Sequence, residues 1–167
     1  MEVYRKIVST LHDILLYAVS AGLVIMIVLT ALEVVRRYYF GLSFSWSEEL
    51  VRYLMIMVTF FGGAVAYRDK GLVALDLITG KFSKKGKAIA GLCTEVLTII
   101  IVLLLLIYTV KAITQPAVYM QKSIGLKISM AVPWLSMPIG LGAMLVFAPE
   151  HFISIVEELS GGKGVAA

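Results

Sequence analysis

Four long apolar runs separated by short polar stretches dominate the chain. The first extends from about Ile14 to Val35 and the second from about Leu50 to Tyr67. The third covers about Ala88 to Val110, and the fourth about Met130 to Phe147. Each holds roughly 18 to 23 residues, a helix of about 27 to 35 Å, which matches the hydrocarbon core of a bilayer. The pattern predicts an all-α integral membrane protein with four transmembrane helices in one domain over residues 1–160. Residues 161–167, which include Gly161-Gly162-Lys163-Gly164, read as a flexible tail. No internal repeat or separate soluble domain is visible.

Arg5 and Lys6 ahead of an apolar stretch containing Val19-Ser20-Ala21 imitate a secretory signal. Only a few apolar residues separate Asp13 from that cleavage-like site, however, and the run continues far beyond it. An uncleaved first membrane helix fits better. Composition agrees with the pattern. Of 167 residues, 60% are hydrophobic and 16% charged, and the mean hydropathy is +0.93. A water-soluble fold of this length cannot hide so much apolar surface. The single cysteine, Cys93, excludes an internal disulfide and a cysteine-based metal site.

Polar residues inside this frame need individual accounts, because charge near the hydrocarbon is costly and usually partnered. The densest stretch is Phe44-Ser45-Trp46-Ser47-Glu48-Glu49-Leu50-Val51-Arg52. Ser45, three residues before Glu48, reads as a capping box opening the second helix, with Glu48 and Glu49 at its positive dipole end. Glu48 stands four residues and Glu49 three from Arg52, so both acids are expected to reach its guanidinium along one helical face. Glu33 bears the same relation to Arg37 and Arg36. Two readings stay open: internal ion pairs that let these groups sit at the membrane interface, or a cluster completed by another subunit. Trp46 is the expected interfacial anchor in both.

Lysine and arginine positions set the orientation. Arg68, Lys70, Lys81, Lys84, Lys85 and Lys87 fall between the second and third spans, and Arg5 and Lys6 precede the first. Arg36, Arg37, Lys122 and Lys127 lie on the opposite side. The positive-inside rule then places both termini and the central loop in the cytoplasm, with the polar island facing outward. Within that loop Leu72, Val73, Leu75, Leu77 and Ile78 surround Asp76 ahead of Lys81, Lys84, Lys85 and Lys87. This predicts a short amphipathic segment on the membrane surface with its lysines near anionic lipid headgroups; a plain solvated loop is the alternative. The basic pI of about 9.2 follows from this topology, and nothing in the pattern points to nucleic acid.

Small residues at Ala18 and Gly22, Gly62 and Ala66, and Ser136 and Gly140 permit close helix approach, with Gly63 beside the second pair. Pro133 suits the start of the fourth span, whereas Pro138 falls inside it and is expected to kink it or free a carbonyl. Glu95 has no local partner; a hydrogen bond between helices or subunits is the favoured reading, a proton relay the other. His12 and His151 flank the first and last spans. A haem held by both is conceivable, but histidines at helix ends read more simply as interface residues. No cofactor is expected. No phosphate loop, metal-ligand spacing or activated nucleophile is present, so the chain does not read as an enzyme.

Taken together, Arg36-Arg37-Tyr38, Trp46-Ser47-Glu48-Glu49-Leu50-Val51-Arg52, Gly62-Gly63-Ala64 and the stretch from Arg68 to Asp76 resemble a known family. It is the small membrane subunit, DctQ type, of the tripartite ATP-independent periplasmic (TRAP) transporters. Gly125 to Gly140, with Pro133-Trp134 and Pro138-Ile139-Gly140, is similar to that family's last helix. The similarity covers about Arg36 to Gly140. One departure is Leu72, where the family often has histidine four residues before Asp76.

The resemblance implies a four-helix scaffold that holds a large multi-spanning subunit, in which solute and sodium bind. A periplasmic solute-binding protein would deliver a carboxylate-type solute, and the small subunit would help to dock it. On this view Arg36, Arg37, Trp46, Glu48, Glu49 and Arg52 form a subunit interface or structural ion-pair cluster. Gly62, Gly63, Ala66, Ser136, Pro138 and Gly140 pack helices, and Asp76 with the four lysines meets lipid. The rival is a small homodimeric exporter coupled through Glu33, which lies near the end of the first span rather than at its middle.

Overall fold

A computed structural model describes residues 2–41, 44–69 and 84–159. Six helices account for nearly all of them: α1 Glu2–Phe40, α2 Ser45–Arg68, α3 Lys84–Ile113, α4 Pro116–Met120, α5 Ala131–Trp134 and α6 Ser136–Leu159. Among the described residues, four segments are long and apolar enough to cross a membrane: Glu2–Phe40, Ser45–Arg68, Ile89–Ile113 and Ala131–Ile153. The expected all-α membrane architecture is therefore present. The segment containing Asp76 and Lys81, and the tail 161–167, lie outside the described residues. Lys84, Lys85 and Lys87 fall in the opening turns of α3.

The helices extend well beyond the apolar runs. At 39 residues, α1 is about 58 Å long, whereas the hydrocarbon core is about 30 Å thick. Its mixed first turns, Glu2 to Asp13, continue the helix past the long apolar stretch. Val8, Leu15 and Gly22, the buried residues of α1, recur every seven positions. That spacing draws one narrow stripe along the helix and leaves the remaining circumference apolar and uncovered.

Packing is sequential rather than closed. Helix α1 lies on α2, α2 on α6, and α6 on α3, while α1 and α3 share no comparable contact. The result is an open row in the order α1, α2, α6, α3. The buried core sits where the first three members meet: Val8 and Leu15 from α1, Ala64, Val65 and Tyr67 from α2, and Ala143, Phe147 and Ala148 from α6. Helix α3 is the least covered of the spans. Leu97, Ile100, Ile101, Leu104 and Leu105 are all exposed along it.

Two close approaches set the row. A Cβ added to Gly140 would stand 2.6 Å from the Phe60 carbonyl oxygen, so α6 lies directly on the backbone of α2. A Cβ at Gly22 would stand 2.7 Å from Met57 Cε, where α1 crosses α2. Gly62, by contrast, keeps ordinary distance from Val19, and Gly63 has open space around it. Ala66, Ser136 and Pro138 are half-buried.

The fourth span is broken at Leu135, between α5 and α6. Pro138 has no N–H to give the carbonyl of Trp134, and its ring crowds that carbonyl. Pro138 thus falls in the first turn of α6, where its missing donor costs nothing. A second proline, Pro149, does lie within α6, which runs on to Leu159 instead of ending near Phe147.

Candidate functional site

The polar side chains gather at the two ends of the row. At the loop end, where α1 passes into α2, the second helix is not capped by its own serine. Its N-cap is Phe44, in extended conformation and without a side-chain cap bond. The expected Ser45–Glu48 capping box is replaced by a carboxylate from the preceding helix. Glu33 of α1 accepts from Phe44 N–H at 3.1 Å and from Ser47 Oγ at 2.8 Å. It thereby satisfies a donor that the start of α2 leaves open. Ser47 is only 3% exposed and also donates to the Phe44 carbonyl.

Glu49 points elsewhere. Between α4 and α5 the chain makes a tight hairpin, closed by Ser123 N–H on Ile128 O at 2.8 Å and Met130 N–H on Gln121 O at 2.9 Å. One oxygen of Glu49, Oε2, accepts from Ser123 Oγ at 2.6 Å. The same oxygen takes Gly125 N–H at 2.8 Å and Leu126 N–H at 3.0 Å. A Cβ at Gly125 would lie 2.8 Å from both Glu49 Oε2 and Trp46 Cα, so only glycine lets the hairpin seat against α2.

The island is accordingly not the internal triad that helical spacing suggests. Glu49 is committed to the hairpin, and no ion pair within 4 Å joins Arg52 to Glu48 or Glu49. Arg52 is exposed. Arg36 stacks its guanidinium over the Phe44 ring at 3.3 Å, a cation–π contact that shields its charge. Phe44 in turn meets Trp46 with ring centroids 5.5 Å apart. Tyr38, Tyr39, Phe40 and Trp46 form an exposed aromatic belt at this level, the usual composition of a membrane–water boundary. Arg37 and Glu48 both line a groove between α1 and α2.

The opposite end holds a second polar network, which joins all four spans. Tyr67 of α2 donates to Glu95 of α3, and Glu95 is 6% exposed. The Tyr67 ring stacks on His151 of α6 at 4.7 Å, and His151 Nε2 lies 3.2 Å from Arg68 O. Arg68 pairs with Glu150 at 3.3 Å. His12 of α1 has Asp13 at 3.2 Å and Asp69 at 3.1 Å, one at each ring nitrogen. The Asp69 contact is an ion-pair distance without hydrogen-bond alignment. Tyr4 donates to the carbonyl of Val146 at 2.6 Å, tying α1 to α6.

Glu95 therefore has the inter-helix partner that local spacing could not supply. Sequence reasoning missed Tyr67, Arg68 and Glu150 as a group because their spacing exceeds any single helix. It also missed Ser123 as a ligand of Glu49. The one available signal was a buried-type acid in an apolar run, which requires a donor somewhere.

A family model describing tripartite ATP-independent periplasmic transporters, DctQ component, matches residues 26–158. This chain belongs to the DctQ family. That family is described as a component of the TRAP transporters, and the chain's apolar helices make it a multi-pass membrane protein. A TRAP transporter small permease protein of Haemophilus influenzae is 33% identical over 78 residues, covering 47% of this chain and 48% of that protein. An isethionate TRAP transporter permease protein of Oleidesulfovibrio alaskensis, named DctMQ, is 23% identical over 101 residues, or 60% of this chain and 16% of that protein. The alignments thus span about half the length of the first relative and a small part of the second. Within the DctQ match lie both the Glu33 and Glu49 contacts and the Tyr67–Glu95 pair, whereas Tyr4 and His12 precede it.

Proposed function

We propose that this chain is the small scaffold subunit of a sodium-driven, binding-protein-dependent TRAP transporter that imports a carboxylate-type solute. The observation that carries the proposal is the open row of spans. A self-sufficient carrier needs a polar site near the middle of the bilayer, and among the described residues the charged side chains gather toward the two ends. Helix α3 and most of α1 instead offer apolar faces, suited to lipid and to a large multi-spanning subunit. The relative whose name joins DctM and DctQ in one permease protein supports such a partner.

On this reading the end bearing Arg36, Arg37, Trp46, Glu48, Glu49 and Arg52 faces the periplasm. There it borders the large subunit and helps to dock the solute-binding protein. Arg52, exposed and without an ion pair among the described residues, is placed to meet a partner's carboxylate. Gly62, Gly63, Ala66, Ser136, Pro138 and Gly140 serve helix packing. The segment around Asp76, with Lys81, Lys84, Lys85 and Lys87, meets cytoplasmic lipid headgroups.

The exporter alternative is weakened by the engagement of Glu33. Its carboxylate holds the start of α2 at the loop end of the row, far from the middle of the span. Reconstitution tests the proposal. Vesicles with this chain alone should show no solute uptake under a sodium gradient; adding the large subunit and the binding protein should restore it. Transport by the purified chain alone, abolished by Glu33→Gln, would sink the scaffold reading.

A further inference from the structure

Near the α1–α2 connection a groove of about 710 Å³ lies between the two helices. The volume falls within the range of about 300 to 1,000 Å³ usual for small-molecule sites. Leu29, Val34 and Val51 line it with apolar surface, and that surface outweighs the polar part. Glu33 and Arg37 on α1 and Glu48 on α2 line it as well. Among the described residues neither Arg37 nor Glu48 has an ion-pair partner. Both are exposed.

This arrangement has a direction. Leu29 is two turns below Arg37 along α1, about 12 Å toward the middle of the span. The groove is therefore charged at the level of the aromatic belt and apolar beneath it, the same gradient that a phospholipid presents. Glu48, which has no ion-pair partner among the described residues, disfavours a headgroup that is only negative. A headgroup carrying both a phosphodiester and a primary ammonium answers both charges. Phosphate meets the Arg37 fork, for which the guanidinium is well shaped. The ammonium donates to Glu48.

We propose that the α1–α2 groove is a specific site for an aminophospholipid, with its phosphate on Arg37, its ammonium on Glu48 and an acyl chain along Leu29, Val34 and Val51. The site stands on this chain's own residues and does not depend on the scaffold role.

The test is native mass spectrometry of the delipidated, purified chain with equal amounts of phosphatidylethanolamine, phosphatidylcholine and phosphatidylglycerol of matched acyl length. Retention should fall in that order, with phosphatidylethanolamine favoured about tenfold over phosphatidylglycerol, the factor expected for one charge-assisted hydrogen bond. Arg37→Gln and Glu48→Gln should each lower phosphatidylethanolamine retention about as much, and circular dichroism should show unchanged helicity, since both side chains are exposed. Equal retention of the three lipids, or variants that retain phosphatidylethanolamine as the parent does, would overturn the proposal. So would a photoreactive residue at Val51 that, in the assembled transporter in native membranes, labels protein and not lipid.

Discussion

Gly125 and Glu49 show how much a single position carries. Three donors converge on one carboxylate oxygen, and the hairpin reaches it only because residue 125 lacks a side chain. Gly125→Ala forces atoms at 2.8 Å apart and should destabilise the protein by about 1 to 3 kcal/mol, the usual cost of overpacking. Thermal unfolding in detergent would reveal it, together with faster proteolytic clipping within residues 121–130. Glu49→Gln keeps an acceptor and should be milder than Glu49→Ala; equal losses would mean that charge, not hydrogen bonding, holds the hairpin. Tyr67 poses the same question at the other end. Tyr67→Phe leaves Glu95 buried without its donor and should cost about 1 to 2 kcal/mol. Removing both partners with Tyr67→Phe and Glu95→Leu should recover much of that loss in a double-mutant cycle. Arg52→Ala, in contrast, should leave the stability of the isolated chain within about 1 kcal/mol of the parent, because an exposed charge that makes no ion pair here loses little.

At the scale of elements, the contact between α2 and α6 joins the two halves of the row. Gly140 sits on the Phe60 carbonyl with no room for a methyl group, whereas Gly63 has open space. Gly140→Ala should therefore lower the melting temperature, by about 1 to 3 kcal/mol of stability, and Gly63→Ala should not. Equal effects would show that helix propensity, not backbone approach, decides these positions. Much of this level was legible in the sequence. The apolar runs marked all four spans because a membrane helix must satisfy its backbone internally and present apolar side chains to lipid. Helix ends were less legible. The first turns of α1 and the last turns of α6 mix apolar with charged residues, so no unbroken apolar run marks them, and α6 extended past Pro149 to Leu159 unannounced. The cap of α2 was missed because Glu33 comes from eleven residues before Phe44, beyond the reach of capping-box spacing.

The whole molecule is an open row whose outer members, α1 and α3, each pack along one side. Such a shape leaves wide apolar faces, which lipid and a large partner subunit would cover. Its orientation is testable directly. Cysteines introduced near Lys84 should be shielded from impermeant reagents in intact cells, and those near Phe44 or Ser123 should label. The opposite pattern would turn the aromatic belt and the α1–α2 groove toward the cytoplasm. Class, span number and family were determined by the sequence itself, since hydropathy over about 20 residues and a few local motifs are short-range properties of the chain. Which charge met which partner was not. Glu49 with the hairpin, Glu33 with the start of α2, Glu95 with Tyr67 and Arg68 with Glu150 join residues distant in sequence. Only the packing of α1, α2, α3 and α6 brings those donors and acceptors within bonding distance, and a buried polar group takes the partner that packing provides.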